Sequence, residues 1–291
     1  MANEKSVADA STYKSAQPVV RTIGVADLKD VLAKGLSDFK AVPTHVMFII
    51  LIYPIVMFVS ARLIAGYEIL PLIFPLVAGY TLIGPLAATG MYELSRRREQ
   101  GLDVARRHAF GALVSPSIGN LVTLGLVLMV IYVVWLAAAL AIYAQIFGDP
   151  APTSIGQFAQ QAIALDFGGA GPKSIMEFAR QIYATPSGWT LIIIGSTVGF
   201  LFAAVVLTLS VVSFPMLLDT NVSPMMAMRT SVRAVLANPM PMAVWGFIVA
   251  AILLLGSLPF FVGLAIALPV LGHATWHLYR KVVVTDAPHR T

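Results

Sequence analysis

Three stretches of this chain, residues 109–148, 181–218 and 234–279, contain no Asp, Glu, Lys or Arg. A helix needs about 20 apolar residues to cross a bilayer, so each stretch holds one span with a flank, or two spans. The whole sequence agrees: of 291 residues, 58% are hydrophobic and 11% charged, where a soluble domain carries about a quarter charged residues. One soluble core cannot hide that much apolar surface. The reading is a polytopic all-α membrane protein. It excludes a soluble enzyme and, despite a net charge of +5, a nucleic-acid binder; with no cysteine, it also excludes a secreted disulfide scaffold.

Hydropathy predicts six transmembrane helices near 44–61, 70–92, 119–146, 188–214, 240–257 and 258–279, paired as three hairpins. The last two come from dividing one uncharged run at Gly256-Ser257-Leu258-Pro259, where Gly followed by Pro favours a reversal. The basic residues then fall unevenly. Segments 1–43, 93–118, 215–239 and 280–291 hold 16 Lys and Arg, against Arg62, Lys173 and Arg180 on the other side. This bias predicts both termini in the cytoplasm. Residues 1–24 are polar and patternless, and read as a disordered cytoplasmic tail rather than a signal peptide. The membrane domain covers 25–283, in hairpin units of about 25–98, 101–219 and 222–281 with an outer loop at 147–187. A short tail, 284–291, follows.

Each unit begins with a short amphipathic stretch that ends in proline: 31–43, 104–116 and 227–239. Aligned on the proline, four columns share one helical face. They hold Val31, Val104 and Ala227; Leu32, Ala105 and Met228; Leu36, Ala109 and Val232; and Phe39, Ala112 and Val235. Lys34, Arg106, Arg107, Arg229 and Arg233 lie between them. Basic amphipathic helices that feed spans are expected to lie in the cytoplasmic interface. The first and third units also match at their ends, where Tyr92 aligns with Trp276 and Arg96-Arg97 with Arg280-Lys281. An aromatic residue followed by a basic pair is an interface anchor.

Few residues carry distinctive chemistry. Gly195, Gly199 and Ala203 form a small-residue stripe suited to helix packing. His273 and His277 lie one turn apart and form the one metal candidate, with an interface histidine pair as the plainer reading. Glu68, Glu93 and Asp219 sit at span ends, so no ionisable group marks a mid-membrane proton path. Span hydroxyls, among them Thr81, Thr89, Thr123, Ser196, Thr197, Thr208 and Ser210, leave a channel open as a reading. Asp219 has Arg229 and Arg233 as sequence neighbours for an ion pair. Arg96, Arg97, Arg98, Arg106 and Arg107 form the densest cytoplasmic basic patch, fit for lipid contact or protein docking. In the outer loop, Ser154 to Gln157 and Ser174 to Glu177 have capping-box spacing, predicting helices over 157–165 and 177–184. Nothing matches a nucleotide-binding loop, a nucleophile elbow or a zinc-protease helix, so no enzymatic activity and no cofactor are expected.

The runs Phe214-Pro-Met-Leu-Leu-Asp219, Ser231-Val-Arg-Ala-Val-Leu-Ala-Asn-Pro239 and Pro269-Val-Leu-Gly-His-Ala-Thr-Trp-His-Leu-Tyr-Arg-Lys281 point further. With Gly84-Pro-Leu-Ala-Ala-Thr-Gly-Met-Tyr-Glu-Leu-Ser-Arg96, they resemble a family of bacterial integral membrane proteins catalogued as a domain of unknown function. The resemblance spans about 25–283 and implies a six-helix inner-membrane protein with no assigned activity. Some members are labelled as cytochrome c oxidase subunit I-like. The residues argue against that label, since only His273 and His277 lie within a span, on one helix, and there is no cysteine for a dinuclear copper site.

The expectation is a non-enzymatic accessory, assembly or membrane-organising factor, compatible with a place near a respiratory complex. Its partners would be the bilayer, a membrane-protein complex or further copies of itself, not nucleic acid. The alternative is a small-solute transporter or channel.

Overall fold

The computed structural model describes residues 18–44, 88–148, 174–258 and 262–284. The first predicted span beyond Thr44, the second before Ala88 and the outer-loop helix over 157–165 lie outside the described residues. What is described is almost entirely helical. In chain order it comprises β1 (Val19–Val20), α1 (Val25–Ala41), α2 (Thr89–Glu99), a 3-10 helix (Arg106–Val114), α3 (Ile118–Phe147), α4 (Ile175–Tyr183), α5 (Pro186–Ser210), α6 (Ser213–Asp219), α7 (Pro224–Ala237), α8 (Pro239–Ser257), α9 (Leu264–Val282) and β2 (Val283–Val284).

Among the described residues, three helical stretches are long and apolar enough to cross a membrane: α3, α5 together with α6, and α8. Their ends are written in the local sequence. The amide of Gly148, at φ 78°, bonds the Ala144 carbonyl and closes α3 in the left-handed conformation that glycine tolerates. Thr185 accepts from the Gly188 amide at 3.0 Å, and Pro186 opens α5 where no backbone donor is needed. Pro239 opens α8 in the same way. Ser174 accepts from the Glu177 amide at 3.0 Å and caps α4 at the position the sequence predicts, so the helix starts at Ile175, two residues before the expected 177.

The sixth predicted span, 258–279, corresponds to α9 at Leu264–Val282 but is not among the long apolar helices. His273, His277, Arg280 and Lys281 in its second half lower its hydropathy. That half is covered by protein: α1 lies along it, and α2 packs beside it. Gly35 of α1 makes the closest approach, since a Cβ there would lie 2.6 Å from the Ala274 amide nitrogen.

The three proline-terminated stretches fold differently. The first and third form α1 and α7. The second is a 3-10 helix, bounded by Gly101 at φ 67° and by Pro116 and interrupted by Gly111, which leaves little room for a cooperative α-helix. The buried face is also rotated from the one the apolar columns define. In α1 it runs Leu28, Val31, Gly35, Asp38, and in α7 Ala227, Thr230, Ser231, Ala234. Of one column, Leu36 is instead 41% exposed and Val232 is half-buried. Small and polar side chains let these helices sit tightly on the bundle, while the larger apolar ones face outward, as a membrane interface allows.

Each stretch packs on a helix at the same, basic end of the molecule: the 3-10 helix on α2, α7 on α5 and α6, and α1 on α9. The first two pairs are sequence neighbours. The third joins the two ends of the chain, and strands seal it. Val19 and Val20, within the segment whose composition reads as an unstructured tail, pair antiparallel with Val284 and Val283. The Arg21 amide donates to the Val282 carbonyl at 2.7 Å. Asn238, at the end of α7, accepts from the Ile23 amide at 2.7 Å and donates to the Arg21 carbonyl at 3.0 Å. Backbone partners explain why a polar sequence is ordered here.

Candidate functional site

The second half of α9 collects the polar chemistry of the described chain. His273, Trp276, His277, Tyr279, Arg280 and Lys281 each reach a polar partner on α1, α2 or α6. Asp38 of α1 is the centre, 6% exposed. Its Oδ2 accepts from the Ser95 hydroxyl at 2.5 Å and from His277 Nε2 at 2.8 Å, while its Oδ1 accepts from Arg98. Burial alone would raise the Asp38 pKa. The hydrogen bonds from His277, Ser95 and Arg98, with the His277 charge, outweigh it and hold the carboxyl below its ordinary range.

These bonds fix the proton positions. The Ser95 hydroxyl has one proton and gives it to Asp38, so its 2.8 Å contact with His273 Nδ1 requires that nitrogen to donate. In the neutral ring His273 Nε2 is then a bare lone pair, buried and without a hydrogen-bond partner among the described residues. The resulting chain runs His273, Ser95, Asp38, His277, from a fully buried imidazole to one at the edge of the bundle.

A second group of bonds lies one turn on. Glu99 accepts from Trp276 Nε1 at 3.0 Å and from Arg280 Nε at 3.1 Å. Asp219 accepts from the Tyr279 hydroxyl at 2.8 Å and from Arg280 Nη1 at 3.4 Å. Asp219 thus ties α6 to α9, not to the neighbouring Arg229 and Arg233 that sequence proximity offers. Lys281 reaches Asp27 at 2.9 Å and Asp30 at 3.0 Å on α1.

The sequence-derived candidates sit as follows. His273 and His277 do lie one turn apart, but the nitrogens described above go to Ser95 and Asp38. Among the described residues no group of three or more His, Asp or Glu side chains is placed to hold a metal ion. In the basic patch, Arg96 forms a two-pronged bond to Glu93 at 2.9 and 3.0 Å. Arg97 donates to the Asp103 carbonyl, Arg98 to Ser37 and Asp38, and Arg107 to the Asp103 carboxylate. Arg106 is exposed. Four of the five arginines are therefore held by the fold. In the small-residue stripe, Gly199 faces Trp135, whose ring would stand 3.0 Å from a Cβ. Among the described residues, a Cβ at Gly195 would meet nothing within 4 Å, and Ala203 is exposed.

Asp38, Ser95 and Glu99 are the members that sequence reasoning misses. The signal was faint: an acid between the apolar columns of an amphipathic stretch usually marks its wet face, and only the tertiary packing of α1 on α9 turns it inward.

No curated protein and no solved structure matches the chain. A family described as predicted integral membrane protein, domain of unknown function DUF2189, matches residues 73–168 and 157–219. The matched region carries Ser95, Arg98, Glu99 and Asp219, the α2 and α6 side of the polar site. Since the two matched segments together cover half of the sequence, the chain belongs to this family of integral membrane proteins.

Proposed function

We propose that this protein is a non-enzymatic accessory, assembly or membrane-organising factor of a bacterial inner membrane. It crosses six times as three hairpins, with both termini in the cytoplasm. One observation carries the reading. The hydroxyls best placed to line a polar path bond to their own helices instead. Thr123 donates to the Gly119 carbonyl at 2.8 Å, Thr197 to Ile193 at 2.7 Å and Thr208 to Ala204 at 2.7 Å. No Asp, Glu, Lys, Arg or His lies in α3, α5 or α8. Spans of this kind offer a solute little to exchange its hydration for. The polar residues gather instead at one end, where they lock helices together, and the role left to such a bundle is to be held against something else. A place beside a respiratory complex fits this reading.

The test is gentle detergent extraction from native membranes at native expression, followed by mass spectrometry of what stays bound in fixed ratio. A stoichiometric membrane complex is the expected result. A homo-oligomer with no other partner overturns it.

The second reading, a small-solute transporter or channel, is favoured by one specific feature: His273 Nε2, buried and unpartnered among the described residues at the inner end of the His273–Ser95–Asp38–His277 chain. Buried ionisable residues within a membrane bundle commonly mark ion pathways. In proteoliposomes, that reading requires His273→Ala to abolish a solute flux while the unfolding temperature holds.

A further inference from the structure

The basic end of the molecule carries two kinds of arginine. One kind is engaged: Arg96, Arg97, Arg98, Arg107 and Arg280 all bond to acidic side chains or carbonyls. The other kind is represented by Arg229 on α7. The inner face of that helix is fixed, because Ser231 Oγ donates to the Thr208 carbonyl at 2.7 Å and accepts from the Val212 amide at 3.3 Å. Ala227, Thr230 and Ala234 are buried beside it. The opposite face is then set by helical geometry: Met225, Arg229, Val232 and Leu236 follow at intervals of four, three and four. Met225 is 54% exposed and Leu236 72%, with Arg229 exposed between them. No Asp or Glu occurs anywhere from residue 220 to 285. The face also runs directly into a membrane span, since α8 starts at Pro239 and Met240 is 66% exposed.

The same pattern recurs in the preceding unit. Counting back from the terminal proline, Met225 and Arg229 stand fourteen and ten residues before Pro239, and Leu102 and Arg106 stand at the same distances before Pro116. Leu102 is 47% exposed, and Arg106 is exposed. The first unit has Lys29 and Ala33 at these positions, on a helix that also carries Asp27, Asp30 and Asp38. The apolar-then-arginine pair thus appears in the two units whose stretch has no acid within the helix, and is missing where the helix is charge-balanced and bonded to α9.

We propose that the face built on Met225, Arg229 and Leu236, with the matching Leu102 and Arg106, is a contact surface for anionic phospholipid headgroups. The guanidinium binds the headgroup phosphate through its paired donors. The apolar neighbours enter the top of the acyl layer, as on an interfacial helix. The dense patch at Arg96–Arg98 contributes little, because its charges already face carboxylates. Assigning the surface to the cytoplasmic leaflet rests on the orientation proposed above; binding of the headgroup does not.

The test uses the full chain in detergent with equal phosphatidylglycerol and phosphatidylethanolamine, read by native mass spectrometry. The wild type retains phosphatidylglycerol preferentially, and each of Arg106→Gln and Arg229→Gln lowers that preference about fivefold, the effect of one basic residue at an anionic surface. Arg229→Lys keeps most of it, and Lys34→Gln, in the charge-balanced helix, leaves it unchanged. Both arginines are exposed, and an unchanged unfolding temperature verifies that each variant folds. Equal retention of the two lipids by the wild type, or an undiminished preference in both glutamine variants, overturns the proposal. A preference lost equally in Lys34→Gln also overturns it, since net charge alone would then explain the binding.

Discussion

Helices α1 and α7 occupy corresponding places in the repeated sequence pattern, yet they are held by different physics. α1 carries three acids and three lysines, and its contact with α9 is polar: Asp38 takes His277, Ser95 and Arg98, while Asp27 and Asp30 take Lys281. α7 has no acid, and it meets α5 and α6 through small residues and one serine that bonds two backbone groups. The difference follows from chain order. α7 directly continues the chain from α6 and needs only to settle on its neighbour. α1 has to find a helix more than 200 residues away, and directional bonds to buried partners specify that meeting better than apolar area does. With no acid on α7, Arg229 stands exposed on its outer face.

The comparison breaks most readily at Asp38. Replacing it with Ala removes the shared acceptor and leaves His277 and Arg98 facing a site with no counter-charge. Removing one partner of a buried ion pair costs about 3–5 kcal/mol. The expected outcome is a large fall in unfolding temperature in detergent and new protease cleavage at the lysines of α1. Acid should act in the same direction. Asp38 stays ionised below the ordinary carboxylate range, so its contribution is present above the unfolded pKa, near 4, and is lost as pH falls through the lower folded value. The stability gap between the wild type and Asp38→Asn therefore closes in strong acid. An equal gap at all pH values would mean that the carboxylate charge is not what holds α1.

Gly35→Val attacks the same interface by shape. A Cβ at this position lies 2.6–2.8 Å from the Ala274 backbone and Cβ, so α1 must lift away. Overpacking of this kind costs about 1–3 kcal/mol. Hydrogen exchange should show α1 amides opening while those of α7 stay protected. If both helices open together, they form one cooperative unit and the contrast between them is structural only.

What the sequence discloses follows the same divide. The α3, α5 and α8 spans are legible to within a few residues at most of their ends because uncharged length, proline and glycine mark them locally. Pro186 and Pro239 open helices, and Gly148 closes one. At the end of α5 the prediction runs on to 214, whereas the chain breaks at Val211–Val212 and restarts as α6, where Pro215 has no amide to give the Val211 carbonyl four residues back. The repeated stretches are legible as units but not in their facing, because Leu36 and Val232 look like core residues to any apolar count. In a soluble protein they would be. Here the outside is also apolar, so size and not hydrophobicity sorts the two faces: Gly35, Ser231 and Ala234 go inward because backbones approach there. The polar site is the least legible part. Asp38, Ser95 and His277 are separated by 57 and 239 residues in their two contacts, and no local pattern encodes a meeting of that range. The nine-residue run from His273 to Lys281 is distinctive in sequence because most of its side chains have a partner to satisfy.

On the α7 side the corresponding test is Ser231→Ala. The hydroxyl donates to the Thr208 carbonyl and receives the Val212 amide, at the break between α5 and α6. Losing a hydrogen bond and leaving a buried amide unsatisfied costs about 1–3 kcal/mol, below the cost of leaving a buried charge without its partner. The change should appear as faster exchange at Val212 and its neighbours, with α1 unaffected. A loss as large as that of Asp38→Ala would show that hydroxyl-to-backbone bonds anchor these helices as firmly as buried charge does.

The smallest effect should come from the most conspicuous ion pairs. Lys281 lies between Asp27 and Asp30, within 2.9 and 3.0 Å, and a count of salt bridges would rank it beside Asp38. Exposure separates them: the Asp27 and Asp30 side chains are 39% and 44% exposed, against 7% for Asp38. In water the attraction is weak and screened by salt, and two long side chains lose freedom to hold one geometry. Asp30 also has Lys34 one turn away as a second partner. The start of α1 is anchored independently, by the strand pair at Val19–Val20 and by Asn238. Lys281→Met should therefore leave the unfolding temperature unchanged, at low salt and at high. If it lowers the temperature at low salt alone, the exposed pairs contribute through long-range charge. If it lowers it at both, the lysine stem is packing against α1, and burial of its methylenes, not its charge, joins the two ends of the chain.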